Sequence, residues 1–555
     1  MTRRHVAVAG AGPAGLAAAY AALAAGARVT LIDSAEQPGG QYHRMPPEAS
    51  GGHPGALRHG RAAFLRRRSR VLTHPRCTWL PQTPVWALER TGPADSPPGA
   101  GSGPPPRVHL LCGGPADGSG RTRRTLDADA LVLATGAHDR VLPFPGWELP
   151  GVCTPGAAQA LVKGEGLVVG DRVVVAGSGP FLLAVAASLL EAGAGVREVL
   201  EAGTFPTVGR NWLGRPWELA AQLGKTAELA GGAAALLRHR VPYRLGRAVV
   251  EARGDGRVEE VVTARLRPDW SAVAGTERTV PVDALCVGHG FSPRLELPLA
   301  AGCALRDGPA GTGGGAGPFV LVDAEQRTSV PGVFAAGEIT GVAGAPAARA
   351  EGAVAGWSAA GGDRAVPALR VLRRSRDEGR AFARRLARAH PIGAGWPGWL
   401  RPDTVVCRCE ETDYGTLCAA FGDAAQAAPR VAKLSTRAGL GPCQARICGP
   451  TVAELRARLG AGSAGHGTAA EPPEHTPHRR PLAQPLRLGE LAAAPVPFGA
   501  PEDPPERSGG PKPPGAADRS VPSGPVAESP EAPSAPSGPT ALSDSTDPSD
   551  STDQR

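Results

Sequence analysis

Short apolar runs alternate with glycine turns and alanine-rich stretches from the first residues of the chain. Residues 5–33, HVAVAGAGPAGLAAAYAALAAGARVTLID, predict a buried strand, a glycine turn, a helix and a second strand ending in an acid. Residues 171–201, DRVVVAGSGPFLLAVAASLLEAGAGVREVLE, repeat that layout. Two βαβ starts in one chain predict two α/β domains, each with a parallel sheet. Between them, residues 91–107 and 113–121 are rich in Gly, Pro and Ser and flank one short apolar stretch, which predicts an exposed hairpin loop. From residue 363 to 389, Leu369, Leu372, Phe382 and Leu386 fall on roughly one helical face among nine arginines. That spacing predicts a linker helix whose arginines form a solvated face.

The domain boundaries expected from these patterns are a first sheet domain over 1–165, a second over 166–283, and a return to the first over 284–362. A linker helix then covers 363–400, a small separate unit 401–460 and an extended segment 461–500. Residues 501–555 hold 13 prolines and no Phe, Trp, Tyr, Ile, Met or Cys, too little apolar surface to offset ordering entropy, so a disordered tail is expected.

Composition narrows the function classes. Hydrophobic residues make up 42% and charged residues 20% of the 555, which fits a globular chain and excludes a wholly disordered or collagenous one. Apolar runs shorter than 18 residues predict no membrane span, and the glycine-interrupted start is not read as a signal peptide. The net charge is +8, but no basic patch is interleaved with aromatics, so no nucleic-acid partner is expected. Ten cysteines, six of them scattered, do not form a dense disulfide framework, and a cytoplasmic location is expected.

Gly10, Gly12 and Gly15 form G-x-G-x-x-G between strand and helix. The first glycine permits the tight turn, the second lets backbone approach a pyrophosphate, and the third allows close packing of the helix, with Pro13 and Ala14 at its start. Asp33, at the end of the second strand, is placed to accept hydrogen bonds from an adenosine ribose. A flavin needs contacts beyond one βαβ unit, and two later segments suit it: ALVLATG, with Thr135 and Gly136, and GVFAAGE, with Gly337 and Glu338 facing ribityl hydroxyls. FAD is therefore the expected cofactor here. The resemblance to two-dinucleotide-domain flavoproteins extends to Gly39, Gly40 and Gln41, similar to the second glycine turn of that family near its flavin.

The second fingerprint has Gly177, Gly179 and Pro180 but Leu182 in place of the third glycine. Glu201 ends the following strand and would favour an unphosphorylated ribose. NAD, another adenine nucleotide, or a relic that binds nothing all remain open for this second loop. No cysteine follows Gly40 in the next segment and no Cys-x-x-Cys lies in 160–280, so dithiol exchange is not expected.

Cys407-x-Cys409 and Cys443-x4-Cys448 are separated by 33 residues. Two cysteines at i and i+2 of an extended segment point to one side, and the glycine-flanked second pair can complete four thiolates around a 2Fe-2S cluster. Nearby Arg408, Lys433, Arg437 and Arg446 would offset its negative charge. A structural zinc and unliganded core cysteines are the alternatives.

VVCRCEE and GLGPCQARIC resemble the ferredoxin-like domain of bacterioferritin-associated ferredoxin. With ELPGVCTPGAAQALV, GEITGVAGAPAARAEGAVAG and RPLAQPLRLGELA, the chain from residue 5 to about 492 resembles the FAD/2Fe-2S subunits of heteromeric amine and amino-acid dehydrogenases, such as opine oxidase A, hydrogen cyanide synthase B and the proline or hydroxyproline dehydrogenase α subunits. That resemblance implies an α/β two-dinucleotide-domain flavoprotein with a small C-terminal iron-sulfur domain. It also implies an electron-transfer role beside an amine-oxidising flavoprotein β subunit. In that family the position of Glu338 is often Asp. A stand-alone NADH-dependent reductase and a redox-inactive FAD-binding scaffold are the competing expectations, and the amine and terminal acceptor are not readable from this chain.

Overall fold

The computed structural model describes residues 3–46, 61–89, 105–114, 120–213, 223–308, 318–422, 429–460 and 482–498. Most of the expected hairpin loop and all of the expected disordered tail lie outside these residues. Strand His5–Ala9 sits at the centre of a five-stranded parallel sheet, ordered Val333–Ala335, Ala130–Leu133, His5–Ala9, Arg28–Ile32, Cys77–Leu80. Helices cover such a sheet, so its strands read as continuous apolar runs rather than alternating ones. Helix Pro13–Ala24 follows the first strand and packs against helix Ala345–Ala359 almost backbone to backbone. A Cβ added at Gly352 would stand 2.0 Å from the Ala14 carbonyl oxygen, and one at Gly356 2.0 Å from that of Ala18. The small residues of both helices are thus the condition for the crossing.

The second parallel sheet is ordered Tyr243–Leu245, Gly195–Glu201, Arg172–Gly177, Ala284–Gly288, Val152–Cys153. Its membership moves both expected boundaries. The edge strand Val152–Cys153 and helix Pro155–Glu165, which packs on helix Phe181–Glu191, belong to the second domain, which therefore begins before 152 rather than at 166. At its far side the apolar run Ala284–Gly288 pairs with Arg172–Gly177, so the domain ends after 288 rather than at 283. Strands Ala137–Asp139 and Phe291–Pro293 pair antiparallel and form the bridge between the two sheets.

Helix Pro367–Ala389 occupies the expected linker, and Arg370, Arg374, Arg384 and Arg388 form the expected solvated face, but the remaining arginines of the helix turn inward. Arg376 and Arg385 are buried. Arg380 donates to Glu351 at 2.9 Å and to Gln326 at 2.8 Å, and Arg373 reaches Glu325 at 3.1 Å. Long guanidinium stems cover apolar surface while their forks satisfy acids and carbonyls of the first domain. This charge pairing anchors the linker.

Residues 401–460 are likewise not separate. Cys407, Leu417, Phe421, Cys448 and Leu455 share one apolar core with Leu142, Trp270, Trp396 and Trp399. Trp270 and Trp399 stack at 6.1 Å, and the Trp399 indole donates to the Trp270 carbonyl. Residues 482–498 then cross the antiparallel sheet Val85–Glu89, Arg107–Cys112, Thr122–Leu126, adding helix Leu488–Ala492 and strand Val496–Pro497 where an extended segment was expected. Arg121 grips Glu490 through two hydrogen bonds of 2.7 and 2.9 Å. Among the described residues no helix is long and apolar enough to cross a membrane.

Candidate cofactor sites

The first glycine loop is shaped by contacts that no side chain would permit. Gly10 has φ +104°, and a Cβ there would lie 2.3 Å from the Ala134 carbonyl oxygen. A Cβ on Gly15 would lie 1.7 Å from the Gly10 oxygen. Gly12 differs: its nearest neighbour is the Gly40 Cα at 3.9 Å, so the space over it is open. Gly12 also caps helix Pro13–Ala24 without a side-chain hydrogen bond, which leaves the positive helix end facing that space.

Asp33 does not simply face outward. One carboxylate oxygen accepts the Ala11 N–H at 2.5 Å and the other accepts the Ala35 N–H at 2.8 Å, so it fixes the loop it follows. Burial pushes its carboxyl up from the usual range, against those two N–H groups and the Arg294 charge. Arg294 is a residue sequence reasoning missed. Its Nε is buried and makes no hydrogen bond among the described residues. Gly40, at φ +58°, approaches Gly12, and Gln41 is exposed on the same turn. Thr135 donates to the Arg294 carbonyl at 2.9 Å, and Gly136, at φ +75°, has nothing within 4 Å of its would-be Cβ.

Gly337 and Glu338 lie beside this loop. The Gly337 N–H donates to Glu351 at 2.9 Å, and a Cβ on Gly337 would stand 2.9 Å from the Ala14 Cβ. Glu338 accepts the Gly344 N–H at 2.9 Å at the start of helix Ala345–Ala359. Glu351 was not singled out by sequence, yet it is buried and holds Gly337, Thr340 and Arg380 together. An acid inside an alanine-rich helix was the available signal. The open space at Gly12 and Gly136, the helix end and the orphaned Arg294 nitrogen fit a dinucleotide, and the residues that would hold FAD are thus Gly10, Gly12, Pro13, Ala14, Gly15, Gly40 and Gly136, with Asp33 positioning the loop.

The second loop is built differently. A Cβ on Gly177 would lie 1.7 Å from the Gly288 oxygen, whereas Gly179, at φ +103°, has open space, and Pro180 leads into helix Phe181–Glu191. Leu182, where a third glycine would stand, is buried. Glu201 is fully buried, and its oxygens accept the Gly179 and Gly203 N–H groups at 2.8 and 2.9 Å and the Tyr243 hydroxyl at 3.4 Å. His390 Nδ1 stands 3.3 Å from it. Burial drives the Glu201 carboxyl upward, but His390 and the two N–H groups outweigh it and hold it below the ordinary range. The acid expected to face a ribose is therefore committed to the protein, while Ser178 Oγ in the same loop is buried without a hydrogen bond among the described residues.

Cys407, Cys409, Cys443 and Cys448 line one cavity of about 260 Å³ together with Trp147, Cys153, Arg408 and Ile447. The extended-segment expectation holds only as far as Cys407, which ends strand Val405–Cys407; Cys409 lies in the turn that follows. Thiol contacts join all four cysteines, Cys448 touching both Cys407 and Cys443 and Cys443 also touching Cys409. Among the described residues, no three or more His, Cys, Asp or Glu side chains are arranged to hold a single metal ion. The Cys448 thiol, then the Gly439, Glu410 and Cys409 N–H groups, pull the Cys407 thiol down to about 6 against burial. Cys448 likewise brings Cys443 to about 4, helped by the Ile447 and Arg446 N–H groups. Gly441 is required here, since a Cβ would stand 2.3 Å from the Cys409 Cβ. Four thiols around one cavity, with N–H groups aimed at sulfur, are the donor type an iron-sulfur cluster would take, and Cys407, Cys409, Cys443 and Cys448 are the residues that would hold it.

The expected cationic surroundings are partly spent. Arg437 pairs with Glu410 at 2.7 Å and Arg446 with Glu296 at 2.7 Å, while Arg408 stacks on Trp147 at 5.1 Å. His138, two residues beyond Gly136, donates to the Arg446 carbonyl at 2.8 Å, so the flavin-side and cysteine-side loops are tied by one hydrogen bond.

Comparison with known proteins agrees with this geometry. Residues 4–352 match the family described as pyridine nucleotide-disulphide oxidoreductase. The chain is 31% identical to the A subunit of opine oxidase from Rhizobium meliloti, over 88% of this chain and 87% of that protein. It is 32% identical to the HcnB subunit of hydrogen cyanide synthase from Pseudomonas aeruginosa, over 80% of this chain and 90% of that protein. In fold it is similar to L-proline dehydrogenase from P. horikoshii, with a TM-score of 0.57 at 17% identity, covering 88% of this chain and 79% of that one.

Proposed function

This chain belongs to the pyridine nucleotide-disulphide oxidoreductase family and is an FAD-dependent oxidoreductase, and on that premise we propose that it is the FAD- and 2Fe-2S-carrying electron-transfer subunit of an amine or amino-acid dehydrogenase or oxidase complex. The observation that carries this reading is the single cavity lined by all four motif cysteines. When bound, FAD supplies two-electron acceptor chemistry and the cluster one-electron chemistry. The chain's own part is to hold both groups and keep their loops in register. The open Gly12 backbone and the helix end receive a pyrophosphate, Asp33 locks Ala11, and His138 ties the Thr135–Gly136 turn to the Cys443–Cys448 loop. The Glu296–Arg446 ion pair makes a second tie between the same two regions.

The names of its relatives support a multi-subunit assembly, since both are called subunits. The proposed partner is an amine-oxidising flavoprotein β subunit, which would contain the substrate pocket. The NADH-dependent alternative is disfavoured because Glu201 is already engaged by Gly179, Gly203, Tyr243 and His390. The test is anaerobic mixing of the purified holoprotein with candidate amines and amino acids, alone and with the protein that co-purifies with it from its native host. Flavin bleaching only with the partner supports the assignment. Rapid bleaching of this chain alone by an amine would overturn the division of labour.

A further inference from the structure

Sequence reading found no cysteine pair at redox spacing outside the four motif positions, but the fold creates one. Cys153 and Cys286 are 133 residues apart in sequence and their sulfurs are 3.6 Å apart in space. They are directly opposed on the parallel strands Val152–Cys153 and Ala284–Gly288. We propose that Cys153 and Cys286 are a peroxide-responsive dithiol that closes to a disulfide in the wall of the cysteine-lined cavity.

The geometry permits the bond. Opposed residues on neighbouring strands lie about 4.8 Å apart. That is within the roughly 4.4–6.8 Å Cα separation of known disulfides, and side-chain rotation alone can shorten the sulfur contact to about 2 Å. The two thiols are also unequal in the way such chemistry requires. Cys286 is fully buried, whereas Cys153 is half-buried and lines the cavity of about 260 Å³ with Arg408 and Trp147.

The first thiol to react is therefore Cys153. The 3.6 Å contact with Cys286 holds the Cys153 thiol below the ordinary range, against burial and the Asp139 charge, whereas Cys286 itself is held well above. The Cys153 thiolate attacks peroxide: an S–O bond forms, the O–O bond breaks, and the departing hydroxide takes up the thiol proton as water. Cys286 sulfur then attacks the resulting sulfenic acid; the S–S bond forms, the S–O bond breaks, and the Cys286 proton leaves with hydroxide as a second water. The two thiols lose two electrons and two protons, and hydrogen peroxide gains them.

The test uses the full chain with both cofactors bound, treated with hydrogen peroxide from one to on the order of ten equivalents, then denatured, alkylated and digested with trypsin. The expected result is that peptides 141–163 and 279–294 are recovered joined, about 2 Da lighter than their sum, and separate again on reduction. In Cys286→Ala, Cys153 should accumulate as sulfenic acid that dimedone traps; in Cys153→Ala, Cys286 should remain fully alkylatable. Recovery of both cysteines alkylated in the wild type after excess peroxide would overturn the proposal. So would Cys153 joined to one of the four motif cysteines, or Cys153 as sulfinic acid without the joined peptides. The wild-type peptide map decides the question even if either variant fails to fold.

Discussion

The imidazole of His390, which caps helix Pro367–Ala389, stands 3.3 Å from the buried carboxylate of Glu201. The Trp212 indole N–H donates to His390 Nε2 at 3.0 Å, which leaves Nδ1 to carry the proton that faces the acid. A linker helix from one side of the molecule thus places its last turn where a nucleotide ribose would meet the second fingerprint. The expected outcome is that NADH, mixed anaerobically with the FAD-loaded wild type, leaves the visible flavin absorbance unchanged over minutes. Prompt bleaching would mean that Glu201 is released from His390 in solution. His390→Ala should lower stability by about 1–3 kcal/mol, because Glu201 loses a partner inside the protein, and thermal melting of the variant measures it.

The glycines of the first fingerprint separate binding from folding. At Gly12 an added Cβ meets nothing closer than 3.9 Å, whereas at Gly352 it would stand 2.0 Å from the Ala14 carbonyl oxygen. Gly12→Val should therefore fold with a melting temperature close to that of the wild-type apoprotein but purify colourless, because the side chain fills the space a pyrophosphate needs. Gly352→Val forces helices Pro13–Ala24 and Ala345–Ala359 apart and should cost about 3 kcal/mol or more. Absorbance spectra and melting curves of the two variants side by side check both halves. A yellow Gly12→Val would remove the pyrophosphate from that loop.

Both sheets were legible because a strand, a glycine turn and a helix are local events, written within about thirty residues at 5–33 and again at 171–201. Long-range pairing was not. The chain near Val152–Cys153 carries no sign that it joins Ala284–Gly288, and the domain boundaries shifted for that reason. The four motif cysteines announced themselves by spacing, whereas Cys153 and Cys286 met only through strand register. Of the arginines of helix Pro367–Ala389, those that pair inward, such as Arg373 with Glu325 and Arg380 with Glu351, were misread because period and charge identify a polar face but not the acids that await it. Glu201 had the right place for a ribose ligand, and only tertiary structure reveals that His390 and Tyr243 reach it from elsewhere in the chain.

Substitution of the cysteines should sort them into ligands and bystanders. Cys407 and Cys448 are buried in the shared core, and Cys443 contacts both Cys409 and Cys448, so Cys443→Ser removes a central member of the set. Its expected phenotype is loss of iron and acid-labile sulfide, with flavin content unchanged because the flavin loops lie in the first domain. Cys418→Ser, on helix Tyr414–Gly422, should keep the full iron content. Iron, sulfide, zinc and flavin analysis of protein purified anaerobically checks each point. Stoichiometric zinc in the wild type, or iron retained in Cys443→Ser, would refute the cluster assignment.

His43 links the first fingerprint to acid sensitivity. Its ring stacks on Phe64 at 4.1 Å beside the Gly39–Gly40 turn, and burial, followed by the Arg349, Lys163 and Arg67 charges, lowers its pKa from 6.5 to about 4. In the unfolded chain the same imidazole takes up a proton near 6.5. Between those values the unfolded state binds more protons than the folded one, so the His43 contribution to stability falls as pH is lowered from 6.5 to about 4 and is constant below. Denaturant unfolding of the apoprotein across that range should show stability rising with pH, with a smaller slope in His43→Gln. The variant loses the Phe64 stack and should be less stable at neutral pH, so the diagnostic quantity is the slope and not the absolute value. Equal slopes in the two proteins would mean that His43 is as easily protonated folded as unfolded, and other buried groups such as His289, lowered to about 3, would then account for the acid dependence.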